Sequence, residues 1–113
     1  MNVYGGGTLD GNGQTWWDLF AGKKTTNRPV LFTTEGLHGG SISDLNLNSS
    51  PFWNNFVANS SDVVFTDIHI YAVSNNYNFE KNTDGWDTYR STRIIIQNST
   101  VTNGDGESLQ LNK

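Results

Sequence analysis

Three short stretches of the chain share one pattern of apolar and polar positions. They read ISDLNL, FTDIHI and IQNSTV, and they begin at Ile42, Phe65 and Ile96. Each stretch starts and ends with an apolar residue and has Asp or Asn at its third position. Corresponding residues are 23 positions apart in the first pair and 31 apart in the second. Alternating polarity in segments rich in β-branched residues predicts short strands.

Repeats at this spacing are typical of solenoids, in which each turn of chain stacks on the one before it. We therefore predict an all-β fold, a parallel β-helix truncated to a few turns, with residues 1–113 as a single partial domain. The additional residues of the longer period predict a surface loop over Asn75–Asn82. The aromatic segment that ends at Phe20 predicts a short helix. A small antiparallel β-sandwich with coincidental spacing is the alternative.

Composition supports a folded β-rich protein, and net charge disfavours some classes of binding partner. Asn, Gly, Ser and Thr number 15, 12, 10 and 12 in the chain, which favours turns and strands over helices. The net charge of −4, without a basic block, disfavours nucleic acid and anionic membranes as partners. No apolar run is long enough to span a membrane. Sequons at Asn48, Asn59 and Asn98 suit a secreted glycoprotein.

Two acidic clusters, NTDGWDTY and NGDGES, are the strongest candidates for chemistry. Their aspartates Asp84 and Asp105 are separated by nearly one turn of chain, and both follow an Asn by two positions. Stacked turns would place them at strand spacing, about 4.8 Å. One carboxyl pKa is then expected to rise, which is the pairing that glycoside hydrolysis uses. Trp86, two positions after Asp84, is a candidate platform for a sugar ring.

A purely structural interpretation of the acids also stands. Asn and Asp often stack in the corners of solenoids, where they bond to backbone groups. We favour that interpretation for Asp44, Asp62 and Asp67. No metal-binding cluster or phosphate-binding loop emerges from the sequence, so no metal and no cofactor is expected.

The segments GGGTLDGNGQTWWDLF, GLHGGSISDL and above all KNTDGWDTYRSTRIIIQNSTVTNGD resemble fungal polygalacturonases of glycoside hydrolase family 28, and most of all exopolygalacturonases. The resemblance runs from about Val3 to Asp105. It implies a right-handed parallel β-helix that is secreted and hydrolyses the α-1,4 bonds of polygalacturonate in pectin, with inversion and without a metal. Close stacking of the two acids would by itself indicate a retaining pair, so inversion is implied by the resemblance alone.

The resemblance also assigns roles to residues. Asp84 matches the family's Asn-Thr-Asp motif and would position or activate water, while Asn82 would orient the site. Asp105 matches the first acid of Gly-Asp-Asp and would be the general acid. Gly106 replaces the second acid of that motif, and Glu107 is a candidate to compensate for its loss.

The chain stops at Lys113, before the family's Gly-His-Gly and Arg-x-Lys motifs. We therefore expect little hydrolysis by this chain alone. Exposed strand edges would make it prone to associate, whereas the full-length protein is expected to be a monomer. The alternatives are a non-catalytic β-helix that binds polysaccharide, a purely structural solenoid, and a pectate lyase, which would need calcium.

Overall fold

A computed structural model describes residues 1–103 and 108–111. The described residues form one helix and ten strands. The helix α1 is Gly13–Gly22, and the strands are β1 Asn2–Val3, β2 Thr8–Asp10, β3 Phe32–Glu35, β4 His38–Asn48, β5 Asn55–Ala58, β6 Ser61–Ala72, β7 Trp86–Tyr89, β8 Thr92–Gln97, β9 Ser99–Asn103 and β10 Ser108–Leu111.

The described strands form two sheets. One contains seven strands in the order β1-β4-β6-β9-β10, with β2 beside β4 and β8 beside β6, and the other has the order β3-β5-β7. Ile42 lies opposite Phe65, and Phe65 lies opposite Ile96. The two spacings seen in the sequence are therefore the lengths of successive turns. Parallel pairing of these strands confirms the β-helix and excludes the antiparallel sandwich.

The hydrophobic core lies between the two sheets. Side chains of the β6 strand point alternately inward and outward, so that every second residue is buried over much of its length. Val57 from the smaller sheet joins this core. The buried cluster consists of Ile42, Leu47, Val57, Val63, Phe65, Ile68 and Ile70.

Corner residues of successive turns stack in columns with left-handed backbone geometry. Asp44, Asp67 and Asn98, the third residues of the three repeats, have φ values of 58°, 56° and 46°. Asn and Asp tolerate this conformation better than other non-glycine residues. A second column contains Asp62 and Arg93, whose side chains form an ion pair. The predicted corner position of these aspartates is confirmed, whereas the side chain of Asp62 bonds to Arg93 and not to the predicted backbone group.

The last described strand departs from the parallel arrangement. β10 pairs with β9 in antiparallel fashion, with Ser108 opposite Thr102 and Leu111 opposite Ser99. Only residues 104–107 separate the two strands, and a parallel pairing would need a crossover of a dozen or more residues. The short connection therefore explains the reversal.

Outside the sheets, α1 and a long loop lie side by side. The predicted aromatic helix is confirmed, and it continues two positions beyond Phe20 to Gly22. The predicted loop over Asn75–Asn82 lies between β6 and β7. Gln14 and Asp18 of α1 accept hydrogen bonds from this loop. No helix in residues 1–103 or 108–111 is long and apolar enough to cross a membrane.

Candidate active site

Asp84 opens onto a polar depression of about 210 Å³ at the end of the long loop. Asn82 and Glu80 line the same depression from the loop, and Asn103 lines it from the end of β9. Asp84 itself is exposed, so its carboxyl group is accessible to a ligand and to water. The sequence analysis did not single out Glu80, which adds a second carboxylate to the lining.

Two buried asparagines fix the backbone that carries Asp84. Asn54 donates from Nδ2 to the carbonyl oxygens of Thr83 and Asp84, at 3.2 Å each, and its backbone N–H also bonds to the Asp84 oxygen at 2.8 Å. Asn55 donates from Nδ2 to the Gly85 oxygen at 2.9 Å. Both asparagines are almost fully buried. The Asp84 backbone is therefore held from beneath by amide groups of the preceding turn.

Gly85 lets this segment approach the next turn closely. A Cβ atom at this position would lie 3.0 Å from Cγ2 of Val101 and 3.6 Å from Cδ1 of Ile70. Val101 would have to shift to make room for it. Close packing at Gly85 therefore explains why a glycine follows Asp84 directly.

Asn82 is anchored by a basic residue that lies far away in the sequence. Its backbone has a left-handed φ of 57°, and its Oδ1 accepts a hydrogen bond of 2.7 Å from Nη2 of Arg28. Nη1 of Arg28 donates to the carbonyl oxygens of Lys81 at 2.6 Å and Pro51 at 3.1 Å. One guanidinium group thus ties the loop to two other segments of the chain.

Asp87, the second aspartate of NTDGWDTY, carries the largest electrostatic perturbation near the site. It is half-buried, and its Oδ2 has no hydrogen-bond partner among the described residues. Burial, followed by the adjacent Asp84 carboxyl, raises the pKa of Asp87 from 3.8 to about 6. The sequence analysis expected such a rise within the Asp84 and Asp105 pair. The structure shows a rise at Asp87 beside Asp84, and because Asp105 lies outside the described residues, the rise expected within the Asp84 and Asp105 pair stays a prediction.

Comparison with known proteins identifies the family of this chain. The model of the family described as "Glycosyl hydrolases family 28" matches residues 1–107. The chain belongs to glycosyl hydrolase family 28. The resemblance seen in the motifs is therefore confirmed over nearly the whole chain.

Curated relatives in family 28 are named as exopolygalacturonases. "Probable exopolygalacturonase X" of Aspergillus terreus is 59% identical over 105 residues, and "Exopolygalacturonase X-1" of Emericella nidulans is 60% identical over the same length. "Exopolygalacturonase" of Cochliobolus carbonum is 58% identical. Each match covers 93% of this chain but 24% of the relative. The chain thus spans about a quarter of the length of these relatives.

A solved structure from family 28 has the same fold. The crystal structure of endo-xylogalacturonan hydrolase from Aspergillus tubingensis superposes with a TM-score of 0.82 at 35% identity. The match covers 90% of this chain and 31% of that one. Stacked parallel turns are therefore shared by the two proteins.

Of the remaining predicted site residues, the structure describes Trp86 but not Asp105 and Glu107. Trp86 packs edge-to-face on Phe65, with ring centroids 5.9 Å apart, and contacts the buried core. This packing makes Trp86 a support for the site from the interior and gives no support to stacking against a sugar. Asp105 and Glu107 lie outside the described residues, so their proximity to Asp84 stays a prediction.

Two arginines that follow the Asp84 motif in the sequence do not contact the site. Arg93 pairs with Asp62, and Arg90 lies over the ring of Tyr89 at 5.3 Å from its centroid. Neither lines the depression, whereas Arg28 contacts Asn82 directly. Nothing in the local sequence around Arg28 indicates this contact, because the two residues are 54 positions apart. Within the described residues, no group of three His, Asp or Glu side chains is placed to hold a metal ion.

Proposed function

We propose that this chain supplies part of an active site that hydrolyses galacturonan, with Asp84 and Asp105 as the catalytic carboxyl groups. The observation that carries the proposal is the accessible Asp84 carboxyl in a polar depression, on a backbone fixed by Asn54 and Asn55. Positioned carboxyl groups of this kind are what glycoside hydrolysis uses. Membership of family 28 supports the same chemistry.

In the proposed reaction, the Asp84 carboxylate accepts a proton from a water molecule as its oxygen attacks the anomeric carbon. The glycosidic C–O bond breaks, and Asp105 donates its proton to the leaving oxygen. Asn82, held by Arg28, orients the Asp84 segment, and Glu107 compensates for the acid that Gly106 lacks. The products are a shortened galacturonan and a sugar with a new reducing end.

The names of the relatives support a proposal for the substrate and the setting of the protein. Proteins named exopolygalacturonases are 58–60% identical to this chain, which favours polygalacturonate as the substrate and release of monomers from a chain end. We further propose a secreted, extracellular protein that acts as a monomer at full length. The sequons at Asn48, Asn59 and Asn98 fit secretion.

The test is the release of reducing sugar from polygalacturonate, with product sizes determined. This chain is assayed beside a form extended C-terminally through the family's Gly-His-Gly and Arg-x-Lys motifs. We expect the extended form to release monomer and Asp84→Asn to lower its rate by about 10²–10⁴-fold. Asp44→Asn, which changes a corner aspartate, is the matched control. Equal rates for the two variants would contradict the proposed role of Asp84.

Gly106 favours one alternative, a non-catalytic domain that binds polysaccharide. The acid that family 28 has at this position is absent, and loss of one carboxylate removes chemistry without removing the surrounding surface. Binding of polygalacturonate by both forms, without any product, would establish that alternative.

A further inference from the structure

A second concave site lies between α1 and the long loop, and it shares no lining residue with the Asp84 depression. This cleft has a volume of about 310 Å³. Phe20 and Lys24 line it from the helix and the turn that follows, and Tyr77, Phe79 and Lys81 line it from the loop. Concave sites that combine aromatic walls with a few polar groups are typical of small-molecule binding.

Charge distinguishes this cleft from the rest of the surface. The chain has a net charge of −4 and only seven Lys and Arg residues, yet Lys24 and Lys81 converge here. Within the part of the chain that the structure describes, the ion pair is that of Arg93 with Asp62, so neither lysine has an acidic partner there. The nearby Asp18 is instead occupied by amide groups of the loop, which also lower its pKa. The cleft is therefore complementary to an anion.

The aromatic residues specify which kind of anion fits. Tyr77 is 94% exposed and Phe79 is 60% exposed, although large aromatic side chains are usually covered. Exposed aromatic faces, beside lysines that have no acidic partner in residues 1–103 and 108–111, suit a ligand that has an apolar face and a carboxylate on the same ring. A uronic acid has both features, since the C–H groups on one side of the sugar form the apolar face.

Hydrogen bonds hold the walls of the cleft in place before any ligand binds. The backbone N–H of Asn75 donates to Oε1 of Gln14 at 2.8 Å. Oγ of Ser74 donates to the Asn78 carbonyl oxygen at 2.8 Å. Nδ2 of Asn78 reaches Oδ1 of Asp18 at 2.9 Å. A preformed cleft lowers the entropy cost of binding.

Arg28 connects the cleft to the candidate active site. Its guanidinium carbon lies 3.8 Å from the ring centroid of Phe20, which lines the cleft. The same group bonds to Asn82 at the Asp84 depression. A ligand in the cleft would therefore lie beside the segment that carries the candidate catalytic carboxyl.

We propose that the cleft is a subsite for a uronate unit of an acidic polysaccharide. Lys24 and Lys81 bind the carboxylate, and Tyr77 and Phe79 contact the apolar face of the ring. The identity of the polymer rests on the proposed function, whereas binding itself does not require catalysis.

Binding to this chain is measured directly by titration with trigalacturonate, with tryptophan fluorescence or backbone amide shifts as the readout. Galactotriose, which lacks carboxylates, serves as the neutral probe. We expect trigalacturonate to bind at least about tenfold more tightly than galactotriose and to weaken as salt is added, because charge pairs at a surface are screened. Equal binding of the two sugars would overturn the proposal.

Substitutions localise the binding. The double change Lys24→Gln with Lys81→Gln is expected to raise the Kd for trigalacturonate about tenfold, and Tyr77→Ser is expected to raise it severalfold. Tyr77 is almost fully exposed, so its replacement leaves the fold intact. Lys23→Gln removes a neighbouring charge outside the lining and is the matched control. Unchanged affinity in both the double variant and Tyr77→Ser would refute the subsite.

A further variant separates this proposal from the catalytic one. Asp84→Asn is expected to retain binding at the cleft, even where it abolishes hydrolysis in the extended form. Retained binding without any hydrolysis by the unsubstituted extended form would support the subsite and contradict the proposed catalysis. Hydrolysis without binding at the cleft would support the proposed catalysis and contradict the subsite.

Discussion

Replacement of Asp87 by Asn removes a carboxyl group that is costly to ionise. Asp87 is half-buried in β7, its Oδ2 lacks a hydrogen-bond partner among the described residues, and the neighbouring Asp84 carboxyl further disfavours its ionised form. Burial and this neighbour raise its pKa to about 6. Asn has nearly the same shape and stays neutral at every pH, so Asp87→Asn isolates the effect of the charge.

The sign and size of the effect follow from the two pKa values. The unfolded chain has an Asp pKa of about 3.9, so the folded state binds the proton more tightly than the unfolded state does. Its stabilising contribution is complete below about pH 4 and is lost as the pH rises through about 6. A shift of about two pKa units corresponds to about 3 kcal/mol without screening. Partial exposure reduces this, and we expect about 1 kcal/mol in the free energy of unfolding.

The assay is urea unfolding of this chain and of Asp87→Asn between pH 4 and pH 7, followed by tryptophan fluorescence. We expect Asp87→Asn to be more stable by about 1 kcal/mol at pH 7 and equally stable at pH 4. Asp44→Asn controls for the change in net charge, since it removes the same charge from a corner. A difference between the Asp87 variant and the parent that is independent of pH, or a loss of stability at pH 7, would refute the reasoning.

Three further predictions concern the residues that support the site and the core. Arg28→Lys is expected to lower the free energy of unfolding by about 2 kcal/mol, because an ammonium group does not reproduce the fork of hydrogen bonds to three oxygens. Arg90→Lys, which changes an arginine over an exposed Tyr ring, is the control. Equal thermal unfolding of the two variants would contradict the role of Arg28. Asn54→Ala is expected to cost about 2 kcal/mol in urea unfolding, since it leaves the buried oxygens of the Asp84 segment with fewer donors, and a neutral outcome would contradict that support. Phe65→Ala, at a fully buried position, is expected to cost about 3–5 kcal/mol in the same assay, and a cost below that of Asn54→Ala would place the core elsewhere.

The turns of the β-helix were predictable from sequence because equivalent positions of successive turns stack in columns and therefore carry similar residues. Ile42, Phe65 and Ile96 occupy one inward column, so their spacing in the sequence equals the length of each turn. Asp44 and Asp67 are visible for a related reason, since few residues other than glycine tolerate the left-handed corner. The apolar positions and the corner positions both repeat along the chain, and such repeats can be detected in a single sequence.

A contact that occurs only once in the structure produces no repeating pattern in the sequence. Arg28 reaches Asn82 across 54 positions of the chain, and nothing in its surroundings distinguishes it from an ordinary surface arginine. The reversal of β10 was hidden for another reason, because it depends on a short connection rather than on strand composition. The raised pKa of Asp87 was also not predicted, because it arises mainly from burial and then from the neighbouring Asp84 carboxyl, and a local sequence pattern does not reveal burial.

The electrostatic interaction between Asp84 and Asp87 limits the roles that the two carboxyl groups can share. With the inversion that the resemblance implies, the acid and the base lie about 6.5–9.5 Å apart, so a carboxyl group next to Asp84 does not fit the role of general acid. We therefore propose that Asp87 positions Asp84 and that Asp105 is the general acid.

This arrangement predicts a pH dependence of catalysis with a testable origin. Below about pH 6, protonated Asp87 donates a hydrogen bond to the Asp84 carboxylate, and above it two negative charges repel each other. In the extended form we expect kcat/KM for polygalacturonate to fall as the pH rises through about 6. Asp87→Asn keeps a donor at this position and no longer titrates, so that fall should disappear while the substrate is still hydrolysed. Persistence of the same fall in Asp87→Asn would assign it to another group and would remove Asp87 from the working site.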